Sequence, residues 1–102
     1  MQDLTNKEWQ EKTVTDTNAI ILDVRTDEEV VDGKIPGAKQ INILNPSQFI
    51  EEIQKLDSTK NYYVYCRSGA RSAQACAVLQ SIGIQNTYNL IGGILDWEGL
   101  VV

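Results

Sequence analysis

Two short apolar runs constrain this chain more than anything else in it. Ala19-Ile20-Ile21-Leu22, leading into Asp23-Val24, and Asn61-Tyr62-Tyr63-Val64-Tyr65 are rich in β-formers and apolar at successive positions. A strand with one wet face must alternate apolar and polar side chains, whereas a strand covered on both faces need not. Such strands interleaved with helix-type segments imply the α/β class, a parallel sheet at the centre of three layers with helices on both faces.

The helix signals fall between the strands. Thr5 with Glu8 three residues later forms a capping-box pattern that opens a first helix over Leu4 to Lys12, with Trp9 on its buried face, and residues 13 to 18 read as loop. Thr26 with Glu29 repeats the pattern and opens a short acidic helix ending near Asp32-Gly33. Pro36-Gly37 marks a turn, and Ala38 to Ile43 follows as a short strand. Asn45 before Pro46 predicts an N-cap with proline at the first helical position, and Phe49, Ile50, Ile53 and Leu56 form the core-facing stripe of that helix. Ala70 to Ile82 is a helix with Ala75, Val78, Leu79 and Ile82 on one face, closed by Gly83. Asn86 to Leu90 is a further strand, and Gly92 to Trp97 a final short helix. No repeat, linker or low-complexity stretch interrupts residues 1–102, so one domain is expected.

Size supports a core. Surface scaling gives roughly 5,800 Å² folded against about 16,500 Å² unfolded, so folding hides about 65% of what the chain exposes. The net charge of −5 disfavours a nucleic-acid partner. The start Met1-Gln2-Asp3-Leu4-Thr5-Asn6 lacks a secretory pattern, and no segment has membrane-spanning length, so the expected setting is cytoplasmic. Absence of histidine excludes Ser-His-Asp and Cys-His mechanisms and histidine metal sites. The two cysteines, Cys66 and Cys76, stand ~15 Å apart along a helical segment, too far for a disulfide. No metal or cofactor is expected.

Chemistry concentrates in one loop. Cys66 follows a buried strand and opens Cys66-Arg67-Ser68-Gly69-Ala70-Arg71 at the mouth of the next helix, where open α/β sheets place their reactive crevice. A thiol with an ordinary pKa near 8.5 is only ~3% thiolate at pH 7, and reaching roughly 75% requires about 2.7 kcal/mol of preferential stabilisation of the anion. An exposed helix N-terminus contributes ~0.3 to 1 kcal/mol. The remainder must come from backbone N–H groups between Arg67 and Arg71 curled round the sulfur, and from the two guanidinium groups. Gly69 allows the tight turn, and small Ser68 and Ala70 keep the mouth open. Arginine at a helix start opposes the dipole, which assigns Arg67 and Arg71 to an anionic partner. Cys76, among Ala73, Ala75, Ala77 and Val78, reads as core packing. Trp9, Trp97, Tyr62, Tyr63 and Tyr65 suit core packing ahead of a docking surface.

With that loop go three further ordered motifs: Leu22-Asp23-Val24-Arg25 with Glu28-Glu29, Gly33-Lys34-Ile35-Pro36-Gly37-Ala38, and Gly92-Gly93 leading to Trp97. Together, between about Ala19 and Val102, they resemble the rhodanese-like family of single-domain sulfurtransferases. The resemblance implies a sheet of about five mostly parallel strands. Four are legible above, and the fifth is expected near Gln2 to Leu4. It also implies that Cys66 takes the outer sulfur of thiosulfate or of a persulfide donor and passes it to cyanide or a thiol acceptor. Arg67 and Arg71 would then bind a sulfonate, while Ser68, Gly69 and Ala70 complete the substrate loop. Asp23 and Arg25 would brace the sheet end near the loop. Lys34 departs from the pattern, since the family usually carries histidine there.

Three rival functions remain. A persulfide carrier served by a donating or accepting protein has the same loop. A regulatory binding module commonly lacks the loop cysteine. Phosphatases and arsenate reductases of related fold use C-x5-R, one residue longer than the Cys66-to-Arg71 spacing, because a tetrahedral oxyanion needs a wider ring of donors.

Overall fold

The computed structural model describes all 102 residues. Five parallel strands, β1 (Gln2–Leu4), β2 (Ala19–Asp23), β3 (Lys39–Gln40), β4 (Asn61–Tyr65) and β5 (Thr87–Leu90), lie in the order β1-β5-β4-β2-β3. Four helices connect them: α1 (Asn6–Thr15), α2 (Asp27–Val31), α3 (Pro46–Ile53) and α4 (Ala70–Ser81). A 3-10 turn over Gly93–Asp96 follows β5. The accessible surface of 5655 Å² is close to what the chain length predicts. The strand expected near Gln2 to Leu4 is present, with Asp3 opposite Asn89 of β5.

The alternation of β4 divides the interior in two. Tyr62, Val64 and Cys66 face one core with Phe49 and Ile53 of α3 and Ala75, Cys76 and Leu79 of α4. Tyr63 and Tyr65 face the other, where Trp9 of α1 meets Leu4, Ile35 and Leu90. Trp9 packs edge-on against Tyr63, Tyr65 and Trp97 at centroid distances of 5.9, 6.1 and 5.4 Å. The aromatic residues from Trp9 to Tyr65 are thus core, and only Trp97 among the expected set is half-buried.

Local signals place the helix starts well. Both capping boxes form, at Thr5 with Glu8 and at Thr26 with Glu29. Four details differ from expectation. α1 runs over Asn6–Thr15, because Gln2–Leu4 is claimed by pairing with β5 and residues 13–15 continue the helix. Between Ala38 and Ile43 only Lys39–Gln40 pair as strand, at the sheet edge beside β2. Asn45 makes no side-chain cap; its amide donates to the Gln48 side chain instead. Ile50 and Ile82 turn outward, at 41% and 39% exposure, since Phe49 with Ile53 and Ala75 with Leu79 already fill the space over the sheet.

After β2 the chain steps outward to β3, then returns through α3 to β4 and proceeds the other way to β5, so connections diverge between β2 and β4. Ligand crevices in open α/β sheets form at such a point, beyond the strand carboxyl ends. Here the end of β2 is locked to β4 by a buried network. Asp23 accepts from Arg25 Nε at 2.9 Å and Nη2 at 2.7 Å, and from Tyr65 Oη at 2.6 Å, while the Ile35 N–H donates to Tyr65 Oη at 3.1 Å. Arg25 Nη2 also donates to the Gly33 carbonyl at 2.7 Å. A buried carboxylate is tolerated because every neighbour donates to it.

Tyr65→Phe removes the phenol that joins Asp23 to Ile35 and leaves a buried N–H without a partner. Urea unfolding is expected to show a loss of about 1 to 3 kcal/mol. An unchanged midpoint would contradict the network's role.

Candidate active site

Alternation along β4 sends the Cys66 side chain to the α4 face, directly under the start of that helix. The residue is 1% exposed. Two main-chain donors converge on its sulfur, the Gly69 N–H at 3.1 Å and the Ser72 N–H at 3.4 Å, and the Ser72 hydroxyl oxygen lies beside it at 3.3 Å. The first two carbonyls of the loop point the other way. Those of Cys66 and Arg67 accept from the Ile94 and Leu95 N–H groups of the 3-10 turn at 3.0 and 3.1 Å. With its acceptors taken from behind, the loop presents N–H groups inward as an anion nest.

Two glycines make this geometry accessible. Gly69, at φ +108°, turns the chain into α4 in a region that side chains with a Cβ rarely adopt. Gly93 sits against the back of the loop, where a Cβ would fall 2.6 Å from the Cys66 carbonyl oxygen.

Burial opposes charge on Cys66, but the polar groups round the sulfur, the Ser72, Gly69 and Ser68 N–H groups among them, outweigh it, and the thiol lies below its ordinary pKa. Cys76 behaves oppositely: burial raises it to about 11. Both thiols are free.

The two arginines of the loop divide. Arg67 is exposed and forms no ion pair, and it lines a cleft of about 180 Å³ with Arg25, Glu29, Asp32, Ile94 and Leu95. Arg71 is engaged, its Nη1 and Nη2 donating to the two Glu29 oxygens at 2.7 and 2.8 Å. Its charge is therefore shared with a carboxylate of α2 rather than directed wholly into the loop. Ser68 and Ala70 are exposed at the mouth. Ser72, which follows Arg71 directly, touches the sulfur although the sequence reading above does not place it there. The rule that helix residues near the N-terminus turn back toward the preceding loop is the signal that finds it. Lys34 pairs main chain to main chain with Val102, at 3.0 and 2.9 Å. No group of three or more Cys, Asp or Glu side chains is arranged to hold a metal ion, and no helix is long and apolar enough to cross a membrane.

Glu29 carries the largest effect of the Arg71 contact. The bidentate guanidinium, over a smaller opposing cost of burial and with help from the Thr26 cap, lowers its carboxyl from 4.5 to about 2. A carboxylate depressed in the folded state adds stability above its unfolded pKa and loses it as pH falls through the folded one. The stability difference between the native chain and Glu29→Gln is therefore expected to be largest above pH 4.5 and to shrink toward pH 2. A pH-independent difference in chemical unfolding would contradict the pairing.

Comparison with known proteins agrees with this architecture. The family model of the rhodanese-like domain matches residues 6–100. A candidate sulfurtransferase of Bacillus subtilis, YtwF, is 36% identical over 99 residues, covering 97% of this chain and 92% of the relative. A sulfurtransferase of Allochromatium vinosum is 32% identical, covering 95% and 88%. The crystal structure of a rhodanese-like domain protein from Staphylococcus aureus superposes with a TM-score of 0.84 at 34% identity, covering 98% of this chain and 96% of that one. In sequence, in its all-parallel sheet and in the loop after β4, the chain belongs to the rhodanese-like family.

Proposed function

We propose that the protein is a sulfurtransferase that carries sulfane sulfur on Cys66. The observation that carries this reading is the convergence of the Gly69 and Ser72 N–H groups on a single sulfur atom at the end of β4. A nest of that size fits one polarisable anion, and it serves the thiolate and the terminal sulfur of a persulfide in turn. Sulfurtransferase relatives covering nearly the whole chain support the same reading.

With thiosulfate as donor, the Cys66 thiolate attacks the outer sulfur, the S–S bond breaks with its electron pair leaving on sulfite, and a Cys66 persulfide anion remains. Cyanide or a thiolate then attacks the terminal sulfur, taking it as thiocyanate or as a new persulfide and returning the Cys66 thiolate. No oxidant or metal enters either half. Arg67, free of any carboxylate, is the cation placed for the sulfonate end of the donor, and Arg71 lends a charge already half neutralised by Glu29. Ser68, Gly69 and Ala70 form the substrate loop between them. A persulfide borne on a partner protein satisfies the same chemistry, with its thiolate as the leaving group.

Covalent transfer of this kind predicts ping-pong kinetics. Thiocyanate formation from thiosulfate and cyanide is expected in the native chain and absent in Cys66→Ala. The rate of the sulfur-accepting half-reaction should rise with pH to a plateau whose midpoint lies below that of an ordinary thiol. Activity retained in Cys66→Ala would refute the assignment, and sulfur loading without turnover would identify a carrier.

A further inference from the structure

The Ser72 hydroxyl has one proton and three neighbouring acceptors. Asn89 Oδ1 lies at 2.5 Å, the Gly69 carbonyl at 3.1 Å and Cys66 Sγ at 3.3 Å. Asn89, 5% exposed on β5, is itself committed. Its Nδ2 donates to Asp3 Oδ1 of β1 at 3.0 Å and to the Gly69 carbonyl at 3.3 Å. Parallel pairing of Asp3 with Asn89 sets these two side chains next to one another. If the amide were turned over, its oxygen would face a carboxylate and a carbonyl with no proton between them. Asp3 therefore holds Asn89 with its oxygen toward Ser72.

The shortest of the three contacts then claims the Ser72 proton. The Ser72 oxygen is left with lone pairs toward Cys66, which suit an S–H donor and not a sulfur anion. For Ser72 to donate to a thiolate, its hydroxyl must turn away from Asn89, leaving two oxygens 2.5 Å apart without a proton between them.

We propose that Asn89, oriented by Asp3, is a positioning residue for the sulfur site: it decides which neighbour receives the Ser72 proton and so restrains ionisation of Cys66. This rests on the reading of Cys66 as the sulfur nucleophile. Among the charged groups, Arg71, paired with Glu29, acts on the sulfur, and Arg25, paired with Asp23, acts in turn on Arg71; Arg67 stands exposed at the loop. Asp3 and the amino terminus act on Cys76, behind the site on α4. Asn89→Leu alters none of these charges.

The test is titration of the Cys66 thiolate by its ultraviolet absorbance in the full chain, with Cys66→Ser as the blank. Asn89→Leu is expected to lower the midpoint by about one pH unit, the scale of one hydrogen bond to a charged group. If Asn89 only held the loop in shape, its loss would cost the sulfur donors and raise the midpoint, and a rise or no change overturns the proposal. Asp3→Asn is a second variant that leaves Asn89 in place and lets its amide turn; a fall that persists in high salt is expected. A fall abolished by salt is a direct charge effect and overturns the proposal, because an exposed carboxylate acting at a distance is screened. A native chain with no thiolate midpoint below that of Cys76 overturns the nucleophile reading, and this proposal with it, and is distinguishable from a failure at Asn89 alone.

Discussion

A strand buried on both faces can send each side chain only one of two ways, and β4 uses both. Tyr63 and Tyr65 anchor the core under α1, while Tyr62, Val64 and Cys66 anchor the core under α3 and α4. A slip of one residue would exchange the two sets, sending the sulfur away from α4 and the phenol of Tyr65 away from Asp23. Register in β4 is thus what makes the rest consistent: the same alternation that seats Tyr65 against the Asp23–Arg25 pair delivers Cys66 to the nest. Pairing with β2 from Ala19 opposite Asn61 to Asp23 opposite Tyr65 holds that register along its whole length.

Within the site, main-chain geometry does more than charged side chains. Full guanidinium charges are long-range and shared: Arg71 is divided with Glu29, and Arg25 with Asp23. The N–H groups of Gly69 and Ser72 are short-range and fixed, because the Cys66 and Arg67 carbonyls are held from behind by the 3-10 turn. A preorganised set of dipoles needs little rearrangement when charge appears on the sulfur. On the proposed reading the arginines act at the rim, on the approach of an anionic donor.

What the sequence made legible was local. Capping boxes at Thr5 and Thr26 are three-residue patterns that signal helix starts wherever they occur, and both formed. The composition of Ala19–Asp23 and Asn61–Tyr65 marks strands packed on both faces, fully buried over Tyr62 to Tyr65 and half-buried over Ala19 to Ile21, and position alone nominates the loop after the second. The rhodanese-like motifs then supplied a fifth strand at Gln2–Leu4, which three residues of unremarkable pattern could not. Less legible were contacts between distant segments. Arg71 finds Glu29 forty-two positions away because α2 and α4 both begin near the strand ends. Asn89 reaches Ser72 through β5, and Asp3 reaches Asn89 through β1, and neither pairing leaves a mark in periodicity or spacing. Ile50 and Ile82 carry the right helical phase and are exposed because nearer residues had already filled the core.

On the proposed function, the ring of N–H groups makes Cys66, and not the buried Cys76, the atom that holds sulfur. Intact mass after thiosulfate treatment, followed by peptide mapping under non-reducing conditions, tests it most directly. A gain of about one sulfur atom, mapped to the peptide containing Cys66, is expected for a single activated nucleophile. Sulfur mapped to Cys76, or equally to both thiols, would contradict it.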